Sequence, residues 1–166
     1  MKLTHYEIEF KYLVDIDSVN YQDFPFVSIE QAYISTNPVI RIRRFQDSYV
    51  LTIKGDGEVK HVEYELPLSL EQYQNLTIKA EGFLIQKKRY KIPYLFMGKE
   101  YTIELDIFEG DFEGLVLAEV EFSSEKEALA FIPPKWVLEN VSYKREYHNS
   151  YLSQHGLTDS HFLLKK

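Results

Sequence analysis

In Glu7-Ile8-Glu9-Phe10-Lys11, charge occupies every second position, and Tyr6, Ile8, Phe10 and Tyr12 alternate with it. A β-strand sends successive side chains to opposite faces, so this stretch carries two carboxylates and an ammonium on one face and only bulk on the other. The arrangement recurs at Arg41/Arg43, Thr52/Lys54, Glu63/Glu65, Lys87/Arg89, Glu104/Asp106 and Glu119/Glu121, each flanked by apolar residues of the opposite parity. Seven such faces, some acidic and some basic, point to a site that binds metal ions and phosphate together.

Working outward, period-2 alternation predicts eight strands, near 5–14, 30–36, 38–46, 48–55, 58–66, 82–92, 99–108 and 115–123. The connections carry turn chemistry at Asn37-Pro38, at Gln46-Asp47-Ser48 and at Lys54-Gly55-Asp56-Gly57, where glycine supplies a positive φ, so sequential antiparallel pairing is the economical arrangement. Helices are predicted at about 69–76, capped by Ser69, and at about 124–131, where Ser124 precedes an acidic first turn and Pro133-Pro134 ends the helix. Lys135 to His155 reads as helical in parts. One domain over 1–155 followed by a loosely held tail over 156–166 is the expected organisation.

An open sheet with its charges in water also alternates, but its polar face usually mixes residue types. Here the repeated positions are mostly doublets of one sign, which repel unless counter-charges lie between them. Eight strands suit a closed barrel that can enclose one small ligand and leaves no edge exposed. The expected fold is therefore mainly β with α, an eight-stranded antiparallel closed barrel with its charges inside. The apolar outer faces at Ile40/Ile42, Leu51/Ile53, Val62/Tyr64/Leu66 and Tyr101/Ile103/Leu105/Ile107 are partly covered by helices, with Trp136 over one of them.

Composition narrows the function. A chain of 166 residues with 45% hydrophobic content can bury a core. A net charge of -7 argues against general nucleic-acid binding, so any phosphate affinity must be local. With no cysteine, there is no thiolate nucleophile or zinc-thiolate site, and carboxylates favour hard ions. The N-terminus enters the charged strand pattern at once and no stretch approaches a bilayer span, which reads as a soluble, cytoplasmic protein.

Taken in order, Glu7-Ile8-Glu9-Phe10-Lys11, Gln31-Ala32-Tyr33, Arg41-Ile42-Arg43, Leu51-Thr52-Ile53-Lys54-Gly55, Glu63-Tyr64-Glu65, Ile85-Gln86-Lys87-Lys88-Arg89-Tyr90, Glu104-Leu105-Asp106 and Ala118-Glu119-Val120-Glu121-Phe122 resemble the triphosphate tunnel metalloenzymes, the CYTH domain family. The first of these is similar to the family's ExExK motif, and the resemblance spans about residues 5–152, closest to the bacterial inorganic triphosphatase branch. It implies a tunnel of eight antiparallel strands with a C-terminal plug helix. That plug is similar to Val141-Ser142-Tyr143-Lys144-Arg145-Glu146-Tyr147-His148-Asn149, with Glu146 where arginine is common, so Lys144 or Arg145 is the candidate replacement cation.

By parity the inward basic set is Lys11, Arg41, Arg43, Lys54, Lys87 and Arg89, suited to holding a polyanion, and Lys88 falls outside it. Glu7, Glu9, Glu63, Glu65, Glu104, Asp106, Glu119 and Glu121 form an oxygen-rich wall of the kind Mg2+ or Mn2+ prefers, with Glu63 and Glu65 read as partners of the tunnel cations. The resemblance implies that Glu7, Glu9 and Glu121 hold a first ion while Asp106 and Glu119 help hold a second. Tyr33 reads as packing, and His5 and His61 as surface residues. The implied activity is metal-dependent hydrolysis of inorganic triphosphate to pyrophosphate and phosphate, with weaker action on nucleoside triphosphates, by a monomer or homodimer that binds neither nucleic acid nor membrane. A class IV-type adenylate cyclase or thiamine triphosphatase on the same fold is one alternative, and a non-catalytic polyphosphate-binding module is another. A carrier for apolar ligands is disfavoured, because its interior would have to be apolar.

Overall fold

A computed structural model describes residues 5–161. Eight strands, β1 (His5–Val14), β2 (Phe26–Thr36), β3 (Val39–Phe45), β4 (Ser48–Lys54), β5 (Lys60–Leu68), β6 (Glu81–Phe96), β7 (Lys99–Glu109) and β8 (Val116–Glu121), pair antiparallel in the order β5-β4-β3-β2-β6-β7-β8-β1. The sheet closes where β1 meets β5, with His5 opposite Glu63 and Tyr6 opposite Val62. A short ninth strand, β9 (Val137–Asn140), takes the edge of β1 at Tyr12 and Val14, beyond the point where β5 leaves it. Sequence reading put helix in this region, and four residues after a double proline give too short an alternation to recognise. The strand β2 starts earlier than predicted, because Phe26 to Ser28 pair with Tyr90 to Lys88. Likewise β6 runs on to Phe96 and returns through Met97-Gly98, both at positive φ.

The helices follow their caps. In α1 (Leu70–Thr77), Ser69 Oγ accepts from the Gln72 amide at 3.1 Å, and Gln72 Oε1 accepts from the Ser69 amide at 2.9 Å, a reciprocal capping box. In α2 (Glu125–Ala130), Ser124 Oγ accepts from the Glu127 amide at 3.1 Å. The last helix, α3 (Asn149–His155), packs on β6 and β2. The contact is close enough that a Cβ on Gly82 would fall 2.1 Å from the Ser153 carbonyl oxygen, a position only glycine fills.

Register follows from parity. Lys11 lies opposite Glu119, Arg89 opposite Asp106, and Lys54 opposite Glu63, so inward cations meet inward carboxylates, while Glu119 opposite Glu104 and Glu9 opposite Glu121 set acid against acid. The outward faces are apolar. Phe10, Ile103, Leu105 and Val120 pack under Phe122, Ala128 and Phe131, with Trp136 partly buried against them, and Ala32 and Ile42 pack under Tyr73 of α1. Cover is partial elsewhere, since Tyr64 and Leu66 of β5 remain 48% and 47% exposed.

Inside, the inward row changes character along the strands. Lys11 gives way to Leu13, Lys87 to Ile85, Asp106 to Phe108 and Glu119 to Leu117. These apolar residues join Tyr33, Phe112, Val141, Tyr147 and Leu152 in one buried cluster. One end of the barrel is therefore filled by an apolar plug built from α3 and the segment before it, and the charges occupy the rest. The tail was expected to be loosely held, yet its described part folds back. His161 is 2% exposed, its Nε2 lies 2.7 Å from the Glu146 carbonyl oxygen and its ring meets Tyr147 edge-on. Residues 162–166 of that tail lie outside the described residues.

Candidate active site

Between the plug and the far end lies a cavity of about 200 Å3. Its wall takes Glu7, Glu9 and Lys11 from β1, Arg41 and Arg43 from β3, Lys54 from β4, His61, Glu63 and Glu65 from β5, Arg89 from β6, Glu104 from β7 and Glu119 from β8. Tyr33 joins them, with its hydroxyl 3.3 Å from Gln31 Nε2, so it both packs in the plug and faces the cavity. The Gly55, Gly57 and Glu58 turn and residues Val39, Ser142, His148, Asn149 and Ser150 complete the lining. Gly57 sits at φ +126, where a Cβ would fall 2.0 Å from the Lys60 carbonyl oxygen.

The basic residues divide by partner. Lys54 stands 3.8 Å from Glu63 and 4.0 Å from Glu7, and Lys11 donates to the Tyr147 carbonyl at 3.1 Å and sits 3.5 Å from Glu119. Arg89 is clamped by Asp106 at 2.7 and 2.8 Å, with Glu104 and Glu119 at 3.2 and 3.3 Å. Arg41 and Arg43 differ. Both are buried, Arg41 donates to Thr52 Oγ1 at 3.2 Å, and Arg43 donates to Gln31 Oε1 at 2.9 Å. Neither has a carboxylate within ion-pair distance among the described residues, and Arg41 Nε has no partner there at all. Burial, reinforced by Arg41 and Arg89, presses Arg43 down to about 9, which still leaves it charged at neutral pH. Two buried guanidiniums without counter-ions make a place for an anion.

Three predicted residues stand off the wall. Lys87 is fully buried, its ammonium 2.6 Å from Asp106 Oδ2 and over the Phe108 ring. Burial lowers it to about 8, still charged at pH 7. Asp106, 1% exposed, spends both oxygens on Lys87 and Arg89. Asp106, for which the resemblance implied a share in a second ion, thus neutralises two cations just behind the wall. Glu121 is exposed beyond the wall, opposite Glu9 across the strand pair. Burial and the nearby Glu7 and Glu104 raise its pKa. Lys88 turns outward to Glu109 and Phe26, as its parity requires.

The acid wall fits a divalent cation. Burial, reinforced by Glu119 and Glu7, lifts Glu9 to about 7, a like-charge crowding that a cation relieves. Donor atoms of Glu7, Glu9 and His61 lie within 4.8 Å of one another. His61 was read as a surface residue, yet it is 5% exposed, lines the cavity, and holds its Nε2 3.1 Å from Glu7 Oε2 and 3.6 Å from Glu63 Oε2. Burial alone would lower its pKa, but the close carboxylates of Glu63 and Glu7 lift it to about 9, so it stands beside these acids as a cation. Burial would likewise raise Glu63, and the same contact with His61 instead brings it to about 2. The signal was present in the sequence, because His61 shares the parity of Glu63.

At the plug, Lys144 is bound to Glu139 in solvent, and Arg145 lines a neighbouring pocket with Asp56 and Tyr151, so neither reaches the main cavity. His148 lines both spaces, its ring nitrogen 2.8 Å from the Ser142 carbonyl oxygen, and burial lowers its pKa.

Against known proteins, the CYTH domain matches residues 5–153. An inorganic triphosphatase of Nitrosomonas europaea is 36% identical over 132 residues, covering 76% of this chain and 84% of the relative. Another, from Acetivibrio thermocellus, is 34% identical over 151 residues, covering 88% of this chain and 92% of the relative. The crystal structure of an inorganic triphosphatase superposes with a TM-score of 0.64 at 33% identity, covering 89% of this chain and 93% of that one.

Proposed function

We propose that this chain, which belongs to the CYTH domain family, is a divalent-metal-dependent hydrolase that cleaves inorganic triphosphate to pyrophosphate and phosphate. The observation that carries this reading is the pair Arg41 and Arg43, buried on the wall with only neutral partners and facing a wall of glutamates. A compact polyanion supplies the missing counter-charge to the arginines. Two relatives named as inorganic triphosphatases, at 36% and 34% identity, support the same substrate.

Glu7, Glu9, Glu104 and Glu119, with Glu121 beside them, are the residues that would hold the ion, and Mg2+ or Mn2+ suits their oxygens, while His61 orients Glu7 from behind. A bound ion of this kind neutralises developing phosphoryl charge and favours an attacking water. The rest falls to the chain. Arg41 and Arg43 grip phosphate oxygens through their free N–H groups, and Lys54 and Lys11 add point charge. Arg89 is held rigid by Asp106 so that it meets the transition state without reorganising. Phosphoryl transfer proceeds by positioning and electrostatics, and no protein nucleophile is required. One domain reaching through His161, working in the cytoplasm, is the setting we propose. The test is phosphate release from triphosphate, ATP, thiamine triphosphate and pyrophosphate with Mg2+ and with Mn2+. Triphosphate turnover that needs the ion supports the proposal, and cyclic AMP or no release with either ion overturns it.

A further inference from the structure

Four buried side-chain atoms have no hydrogen-bond partner among the described residues: His5 Nδ1, Arg41 Nε, Glu63 Oε2 and Asn149 Oδ1. Arg41 is part of the anion wall. Of the other three, two fall together. His5 faces Glu63 directly across the β1–β5 pair, Glu65 follows on the same inward face, and one donor atom from each of the three lies within 4.8 Å of the others. Glu63 is 3% exposed, and the cations nearest its Oε2, His61 Nε2 at 3.6 Å and Lys54 Nζ at 3.8 Å, stand at ion-pair rather than hydrogen-bond distance. A buried carboxylate oxygen and a buried ring nitrogen are each costly to leave unmatched. A cation placed between them satisfies both.

We propose that His5, Glu63 and Glu65 form a second cation site, selective for a borderline transition-metal ion such as Zn2+ over Mg2+. It lies at the end of the barrel opposite the apolar plug, whose nearest β1 residue is Leu13. One imidazole and two carboxylates set the selectivity, because imidazole nitrogen suits zinc, whereas magnesium favours oxygen donors and keeps several of its waters. The cluster differs from Glu7, Glu9 and His61 in one respect. The His61 ring nitrogen is already hydrogen-bonded to Glu7, whereas His5 Nδ1 has no such partner.

The test is a Zn2+ titration of the untagged full chain in a large excess of Mg2+, read by calorimetry and by the imidazole nitrogen shifts of His5 and His61. One Zn2+ binds per chain, His5 shifts, and binding weakens at least about tenfold in His5→Ala and in Glu65→Gln, since loss of even an outer-shell partner weakens metal sites by that much. Because Glu65→Gln conserves shape, it keeps the test decisive should His5→Ala fail to fold, which circular dichroism reveals. No Zn2+ uptake under excess Mg2+, wild-type affinity in the folded variants, or shifts confined to His61 would overturn the proposal.

Discussion

Replacing Asp106 with asparagine removes a carboxylate that two buried cations, Lys87 and Arg89, share. In the native chain it accepts from Lys87 at 2.6 Å and from Arg89 at 2.7 and 2.8 Å, with Lys87 wholly buried. Asparagine keeps one acceptor and turns an amide donor towards the ammonium or the guanidinium. Arg89 retains Glu104 and Glu119 at 3.2 and 3.3 Å, but Lys87 is left without a charged partner among the described residues, beside the Phe108 ring. Breaking a buried pair costs about 3–5 kcal/mol, and Arg89's remaining partners place the expectation near 4. For a chain of this size that is a fall in melting temperature of about 8–16 °C. The measurement is urea and thermal unfolding at pH 7.5 in chelator, so that no bound ion adds to stability. Burial would raise the Asp106 pKa, but Arg89 and Lys87 outweigh it and hold it low. A depressed carboxyl stabilises above its unfolded value and loses that contribution as pH falls through its folded value, so the gap between native and variant narrows below about pH 4. Replacing both partners, as in Lys87→Met with Asp106→Leu, should recover much of the loss, since no charge is then left alone. An Asp106→Asn variant within about 1 kcal/mol of the native chain at neutral pH would refute this account of the triad.

Arg43→Ala should act oppositely: kcat/KM for triphosphate falls about 10- to 150-fold, from a lost charge-assisted contact of about 1.5–3 kcal/mol, while the melting temperature holds or rises. A lowered melting temperature with unchanged kinetics would place Arg43 in the structure and not at the substrate. Triphosphate should be used at least as efficiently as ATP, and a preference for ATP beyond about tenfold, roughly 1.4 kcal/mol, would show a nucleoside pocket that the wall does not offer. Because Glu9 titrates near 7 without an ion, Mn2+ must displace a proton from it at pH 6 and much less at pH 8. Calorimetry in two buffers of different ionisation enthalpy should count that proton in the native chain and lose it in Glu9→Gln, which should also be inactive with its fold intact.

Parity made the barrel legible. Once Glu7, Glu9 and Lys11 are assigned to one face, the other doublets fall on the same side, and opposite signs then demand an interior where they meet. Closure through His5 and Glu63 follows from that demand. The ninth strand was not legible, because four residues on a short free edge of β1 carry no period of their own. The plug was legible as a resemblance. Its physical cause, the change from Lys11 to Leu13 and from Glu119 to Leu117, was also in the sequence, but the outward apolar rows drew attention from it.

The candidate site exposes the limit of the same rule. Parity says which face a side chain occupies, and it is silent on depth along the barrel and on partners. Glu119 and Asp106 share a face, yet Glu119 reaches the cavity while Asp106 is consumed by Lys87 and Arg89 behind it. Depth is set by strand tilt and register, and these emerge only when all eight strands close. Histidine is hidden for another reason. At position 61 it carries no charge in a formal count, so it drops out of a pattern built on charge. Placed between Glu7 and Glu63 it becomes a cation, and the doublet Glu63/Glu65 is in fact a triplet with His61 at its head. The charge of a titratable residue is thus an outcome of the fold, and a sequence pattern that weighs only fixed charges will miss the residues whose charge the site itself creates.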